Sequence, residues 1–183
     1  MAVADWQRQY WDSPLFLAYL TERDEARADM VEELLDRYDR GGIEIVISSF
    51  VIAEVRRLPT PGAATPADER EVPVQAISPD QVQRVRRMFE SEQLELHVLT
   101  PRIAQRAADI GNEYPRLLPG DCVHIATAIE AGVDVLFTWD GGGQRRRPGD
   151  MLRYDGRIND LAIREPFVPL GPMFDPPPQA GAF

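Results

Sequence analysis

Four acidic residues are placed where their side chains could form one charged site. Asp12 follows a short aromatic stretch, Glu54 lies in a predicted helix, Asp121 opens an apolar helix and Asp140 ends an apolar strand. Carboxylates held a few ångströms apart repel each other, and a divalent cation removes that repulsion. Mg²⁺ and Mn²⁺ prefer oxygen ligands and can activate a water for attack on a phosphodiester. The four acids are therefore a candidate site for such an ion.

The composition excludes several other chemistries. The 183 residues carry 30 acidic and 20 basic side chains, a net charge of −10, so broad electrostatic coating of nucleic acid is not expected. All 20 basic residues are arginine, and the absence of lysine excludes a P-loop, a phosphorelay receiver domain and Schiff-base chemistry. One cysteine and two distant histidines match no zinc-site spacing, which favours Mg²⁺ or Mn²⁺.

The elements that must position these acids alternate between helix and strand. Strands are predicted directly before Asp12, over 43–47, 94–99 and 133–139, and near 161–163. Helices are predicted from Ser13-Pro14, from Thr21–Asp24 to Gly41, through Glu54 to about Leu58-Pro59, from Ser78-Pro79, from Thr100-Pro101, and over 121–129 up to Gly132. This alternation predicts an α/β fold with a central, mainly parallel sheet flanked by helices. The carboxyl ends of parallel strands share one crevice, where we expect the acids to meet.

The chain is predicted to form one domain over residues 1–168, followed by a Pro-rich tail over 169–183. Within the domain, residues 59–79 are rich in Pro, Ala, Thr and acids and show no periodicity, which indicates a long loop. No apolar run is long enough to span a membrane, and the first residues do not form a signal peptide. We expect a soluble, cytoplasmic protein with no membrane partner.

Each acid also has an ordinary structural interpretation. Asp121 could be a helix N-cap, Asp12 and Asp140 could be turn residues, and Glu54 could pair with an arginine one turn away. His124, within an apolar helix, is expected to be a packed core residue and not a ligand or a base. The metal-site hypothesis rests on the four acids as a set.

The segments that hold the acids resemble the PIN domain, the nuclease fold of many prokaryotic toxins of toxin–antitoxin systems, those of the VapC type. The matching segments are Tyr10-Trp11-Asp12-Ser13, Ser49–Glu54, Asp121-Cys122-Val123-His124-Ile125-Ala126-Thr127-Ala128 and Val135–Asp140. The resemblance spans roughly residues 9 to 166, and the Asp121–Asp140 block is its most specific part. The chain departs from the family in its first strand, which is not aliphatic, and in its greater length.

The resemblance implies a three-layer PIN-like fold and a Mg²⁺- or Mn²⁺-dependent endoribonuclease. It implies that Asp12, Glu54, Asp121 and Asp140 are the metal-binding and catalytic set. Ser13 would be a supporting hydroxyl at the substrate, and Thr138 would brace the turn at Asp140. It also implies an RNA substrate, a homodimer and an antitoxin protein whose chain enters the acidic groove.

A Gly- and Arg-rich segment follows the last acid. After three glycines, the guanidinium groups of Arg145, Arg146 and Arg147 could bind substrate phosphates and supply a local positive field. The alternative is a solvated hairpin with no role in binding.

Other functions remain open at this stage. A stand-alone RNA-processing nuclease fits the same motifs, and so does a non-catalytic module whose acidic groove binds a protein. A Mg²⁺ phosphatase with an aspartyl nucleophile fits less well, because Pro14 occupies the place of the second acid in its Asp-x-Asp signature.

Overall fold

The structure is a computed structural model that describes residues 7–21, 25–55, 79–140 and 150–168. In these ranges it contains five β-strands, six α-helices and one 3₁₀ helix. In chain order they are β1 (Arg8–Trp11), α1 (Ser13–Thr21), α2 (Glu25–Asp39), β2 (Glu44–Ser48), α3 (Ser49–Val55), α4 (Pro79–Phe89), β3 (Glu95–His97), α5 (Pro101–Glu113), α6 (Pro119–Ala131), β4 (Val135–Phe137), the 3₁₀ helix (Met151–Tyr154) and β5 (Ala162–Arg164).

The five strands form one sheet in the order β3-β2-β1-β4-β5, and every pairing is parallel. On one side of β1, β2 pairs with β1 and β3 pairs with β2. On the other side, β4 pairs with β1 and β5 pairs with β4. The strand order therefore reverses at β1, and the crevice outside the carboxyl ends of β1 and β4 is the usual place for a ligand in such a sheet. Asp12 directly follows β1 at this crevice.

The sheet is buried on both faces, which explains the apolar character of most strands. In β2, the side chains of Ile45, Val46 and Ile47 have no exposed surface, as is typical of a parallel strand covered by helices. In β1, Tyr10 and Trp11 are equally buried although the strand is not aliphatic. The central position of β1 accounts for this burial, because both of its neighbours are hydrogen-bonded strands.

Two helices that lead to the site have clear end signals. The Thr100 hydroxyl caps α5 by accepting the Ile103 N–H at 3.2 Å, and Pro101 takes the first helical position, where no N–H partner is needed. Gly132 ends α6 in the left-handed conformation, with φ of 65° and ψ of 42°. A side chain at this position would be strained, which explains why glycine stands there.

The α/β prediction is confirmed, and several boundaries are corrected. The strands predicted over 43–47, 94–99 and 133–139 run over Glu44–Ser48, Glu95–His97 and Val135–Phe137, and the last strand is Ala162–Arg164. The helix with Asp121 begins earlier than predicted, at Pro119. β3 and β4 are shorter than predicted, because only Glu95–His97 and Val135–Phe137 pair with a neighbouring strand.

Some sequence predictions fall outside the described residues. These are the capping residue Asp24, the end of the Glu54 helix near Leu58-Pro59, and the tail over 169–183. The predicted loop at 59–79 also lies outside them except for Pro79, which is the first residue of α4. The domain division at residue 168 stays a prediction. In the described ranges, no helix has the length and apolar character needed to cross a membrane.

Candidate functional site

Asp12 lies at the centre of the site, buried directly after the central strand. Its Oδ1 accepts the backbone N–H of Ser13 at 2.7 Å, and its Oδ2 accepts the hydroxyl of Thr138 at 2.8 Å. Its backbone N–H donates to the carbonyl of Phe137 at 3.1 Å, which extends the β1–β4 pairing by one step. The carboxylate is therefore fixed in orientation by groups from both strands that border the crevice.

Glu54 reaches the same place from α3. The Ser48 hydroxyl accepts the Phe50 N–H at 2.9 Å and so satisfies a free donor at the start of this helix. The Glu54 side chain is 31% exposed, so it lies at the border between core and solvent. A Cβ at Gly120 would lie 3.1 Å from the Phe50 ring and 3.8 Å from Glu54 Oε1, so glycine lets α6 approach α3 closely here.

Asp121 is in the first turn of α6 and is buried. Its Oδ2 accepts the Leu118 N–H at 2.7 Å. The helix N-cap residue is Leu118 and not Asp121, so the N-cap interpretation is corrected: Asp121 satisfies the helix end from within the first turn. This contact uses one carboxylate oxygen and leaves Oδ1 for another partner.

Thr138 and Asp140 follow β4. The Thr138 hydroxyl donates to Asp12 and accepts the Asp140 N–H at 2.9 Å, so it links the two acids directly. Thr138 has no exposed surface, whereas Asp140 is exposed at the border of the crevice.

His124 is a site residue that the sequence reasoning missed. It is buried, as expected of a core residue, but both ring nitrogens have polar partners. Its Nε2 lies 3.3 Å from Asp12 Oδ1 and 3.1 Å from Glu54 Oε2, and its Nδ1 lies 2.8 Å from the Tyr10 hydroxyl. The prediction that His124 is a packed core residue is confirmed by its burial, and the structure adds the polar contacts of its ring. The available signal was its spacing of three residues from Asp121, which puts both side chains on one helix face.

The four acids act on one another electrostatically. Burial raises the pKa of Asp12 and of Asp121, and the charges of neighbouring acids add to both shifts. Loss of hydration around its carboxyl, together with the charges of Asp12 and Asp121, raises the pKa of Asp140 to about 6. Burial by itself would lower the pKa of His124, but the facing carboxylates of Asp12 and Glu54 outweigh it and raise that pKa. Negative charge is thus concentrated in one place at a cost that a cation would relieve.

The donor set suits a divalent ion. Among the described residues, Asp12, Glu54 and His124 offer ligand atoms that all lie within 4.8 Å of one another. Asp121 and Asp140 are outside that group, although the charges of Asp12 and Glu54 raise the pKa values of both. Several carboxylate oxygens around one point are the ligands that Mg²⁺ and Mn²⁺ take.

The structure brings the four predicted acids and Thr138 to one end of the sheet. Ser13 is present as well, and it contacts Asp12 through its backbone N–H. Arg145, Arg146 and Arg147 lie outside the described residues.

The comparisons with known proteins agree with this geometry. The model of the PIN-domain family matches residues 10–148, a range that includes all four acids. No curated protein matches the sequence. A toxin–antitoxin complex from Klebsiella pneumoniae contains a chain with the same fold, at 15% identity and a TM-score of 0.51, over 87% of this chain and 98% of that one. VapBC2 from Rickettsia felis, bound to a DNA fragment of its promoter, is similar at 12% identity and a TM-score of 0.51, over 86% and 98%.

Proposed function

The chain belongs to the PIN-domain family, whose members are nucleases, and from this premise we propose that it is a metal-dependent endoribonuclease. The proposed reaction is hydrolysis of RNA phosphodiester bonds, with Mg²⁺ or Mn²⁺ as the ion. The single observation that carries the proposal is the meeting of Asp12, Glu54, Asp121 and Asp140 at the point where the strand order reverses. Three of these acids, Asp12, Asp121 and Asp140, have raised pKa values, and such a group at a crevice is typical of a functional site.

We assign the ion to the carboxylates of these four residues. When bound, such an ion would neutralise their charge, hold a substrate phosphate and supply an activated water for in-line attack. The fit rests on the donor chemistry, because the acids at the site offer the carboxylate oxygens that Mg²⁺ and Mn²⁺ prefer as ligands.

The chain's own residues hold these oxygens in place. The Thr138 hydroxyl orients Asp12 Oδ2 and, through the Asp140 N–H, fixes the turn that carries the fourth acid. The Leu118 N–H orients one oxygen of Asp121. Asp140 is exposed at the border of the crevice, and we propose that RNA binds on this side of the site. Ser13 and the arginines at 145–147 remain proposed substrate contacts.

We also propose that the protein is the toxin of a toxin–antitoxin pair, acting in the cytoplasm as a homodimer and inhibited by an antitoxin. The two similar structures support this, since each is a toxin–antitoxin assembly. A second support is the exposure of four large apolar side chains among the described residues: Leu96, Val98, Leu99 and Leu118. Leu96 lies in β3, an edge strand, and exposed apolar groups of this kind favour contact with another protein.

The test is cleavage of a total RNA pool by the purified protein, with mapping of the product ends. We expect cleavage with Mg²⁺ or Mn²⁺, its loss with EDTA, and its loss in Asp121→Asn, whose amide oxygen can still accept the Leu118 N–H and preserve the helix end. A protein that folds, binds metal and cuts no RNA would contradict the proposal and favour the non-catalytic binding module.

A further inference from the structure

We propose that His124 is a positioning residue, whose Nε2–H donates to Asp12 and Glu54 and holds these two carboxylates at the spacing a metal ion needs. The inference rests on the proposed function only in that it takes these acids as metal ligands. His124 does not bind the ion itself in this account.

The first argument is the geometry at Nε2. This nitrogen lies 3.3 Å from Asp12 Oδ1 and 3.1 Å from Glu54 Oε2, so one atom contacts both carboxylates. An Nε2 lone pair that faced two carboxylate oxygens would be repelled by both, whereas an N–H between them is attracted by both. The metal-free site is therefore held together by a hydrogen on Nε2.

The second argument is the hydrogen-bond chain behind the ring. Nδ1 lies 2.8 Å from the Tyr10 hydroxyl, and Tyr10 also has a hydrogen bond with Ser48. The Ser48 oxygen accepts the Phe50 N–H, which leaves the Ser48 hydrogen free to donate to Tyr10. Tyr10 then donates its own hydrogen to Nδ1, so the proton of the imidazole stays on Nε2. Every hydroxyl in this chain is both donor and acceptor, as buried hydroxyls require.

The third argument is depth. The His124 side chain is only 3% exposed and lies one helical turn further along α6 than Asp121, packed against the Phe50 ring at 5.6 Å between centroids. A catalytic ion needs open positions for water and for a phosphate. Nε2 belongs to this buried side chain, whereas Asp140 is exposed to solvent. The ion therefore belongs on the outer side of the carboxylates, away from the imidazole.

A positioned pair of carboxylates should bind an ion more tightly than a mobile pair. Partners that orient metal ligands typically change metal affinity by about 10–100-fold. We expect His124→Leu to weaken Mn²⁺ binding by about that factor. His124→Gln, whose side-chain amide can still donate at the Nε2 position, should restore most of the affinity. Tyr10→Phe keeps the ring and removes the hydroxyl that contacts Nδ1. We expect it to reduce the Mn²⁺ affinity less, by about two- to fivefold.

The experiment measures Mn²⁺ affinity of the full chain by calorimetry for these variants, beside the wild type. Pulsed electron paramagnetic resonance of the bound Mn²⁺ then reports whether a nitrogen is directly coordinated. The account predicts the order wild type, Gln variant, Leu variant from tight to weak, with no directly bound ¹⁴N. Equal affinities in all variants, or a strong ¹⁴N coupling that disappears in His124→Gln, would overturn it.

A second measurement needs no metal. The ¹⁵N shifts of the imidazole, identified by their loss in His124→Gln, report whether Nε2 carries a hydrogen in the metal-free protein. We expect a protonated Nε2, and an Nε2 without hydrogen would overturn the inference. Failure of the proposed function looks different: the wild type would cut no RNA, whereas the nitrogen shifts and the order of affinities would be unaffected.

Discussion

Two acidic clusters in this chain differ in what surrounds them. On the outer helices, Glu32, Asp36 and Asp39 of α2 surround the guanidinium of Arg84 from α4, with N···O distances of 2.5, 2.9 and 2.7 Å. At the crevice, Asp12, Glu54, Asp121 and Asp140 face one another, and among the described residues His124 is the base whose charge acts on Asp12, Asp121 and Asp140. The first cluster contains its cation, whereas the described part of the second concentrates negative charge around the imidazole of His124.

The comparison shows that the surroundings of the acids, and not their number, distinguish a ligand site from a structural ion-pair network. Partial burial would lower the pKa of Arg84, but its hydrogen bonds to Asp36 and Asp39 raise it, so the charge there is well compensated. At the crevice, burial and the charges of neighbouring acids raise the pKa values of Asp12 and Asp121. On the proposed function, a bound cation offsets that cost.

The largest expected difference between the clusters is in catalysis. Asp12→Asn should reduce RNA cleavage by at least about 10³-fold, since it removes a metal ligand at the centre of the site. Its melting temperature should be unchanged or higher, because the substitution relieves repulsion. Glu32→Gln makes the same chemical change in the outer cluster and should leave cleavage unaltered. Cleavage rates and thermal melts of both variants test these expectations. Equal cleavage rates for Asp12→Asn and Glu32→Gln would contradict the proposed difference between the two clusters.

Metal binding should stabilise the protein in a pH-dependent way. Loss of hydration around its carboxyl and the charges of neighbouring acids raise the pKa of Asp140 from 3.8 to about 6. A raised pKa stabilises the folded state while the group is protonated, and this stabilisation is lost as pH rises through about 6. Mn²⁺ at about 100 times its Kd should add about 2.7 kcal/mol at pH 7.5, or roughly 5–10 °C in Tm.

At pH 5 the increase in Tm should be less than half as large, because protons then compete with the ion. Melting curves with and without Mn²⁺ at the two pH values measure both increases. Increases of equal size at pH 5 and pH 7.5 would show that the ion binds elsewhere than at these acids.

Removal of the cation from the outer cluster should affect stability alone. Arg84→Met leaves three carboxylates facing one another, and we expect a loss of about 1–2 kcal/mol in the free energy of unfolding, a figure reduced for their exposure of 47–59%. Urea unfolding measures the loss, which should shrink in high salt. The cleavage rate should stay unchanged. A lower rate would contradict the prediction, because it would show that the outer cluster affects catalysis.

The smallest expected effects separate two hydroxyls beside Asp12. Thr138→Val removes the hydrogen bond to Asp12 Oδ2 and should weaken Mn²⁺ binding by about tenfold. Ser13→Ala keeps the backbone N–H that contacts Oδ1 and should change the affinity by at most about twofold. Calorimetry measures the Mn²⁺ affinity of both variants. A larger loss of affinity in Ser13→Ala would support the role that was predicted for the Ser13 hydroxyl.

The sequence predicted the parts of this fold that local chemistry determines. Gly132 ends α6 because glycine adopts the left-handed backbone conformation there without strain, and the apolar run of β2 reveals a strand buried on two faces. It could not show that Arg8–Trp11 is the central strand, since the burial of Tyr10 and Trp11 comes from neighbours distant in the chain.

The candidate site also combines features that local sequence patterns predict with contacts between residues that are distant in the chain. The motifs around the four acids are local, and they predicted Asp12 and Asp140 after strands, Asp121 at the start of a helix and Glu54 within the helix that follows β2. The polar role of His124 depends on Glu54, 70 residues away, and on Tyr10, 114 residues away. No spacing rule connects residues so far apart, and only the packing of α6 against α3 and β1 brings them together.

The most direct test of a shared metal site is diffraction from crystals soaked in Mn²⁺, with data collected for the anomalous signal of manganese. The account predicts a peak within about 2.5 Å of carboxylate oxygens of both Asp12 and Asp121. It predicts no peak at the acids around Arg84. A manganese ion at the outer cluster, or none near Asp12 in saturating Mn²⁺, would contradict it.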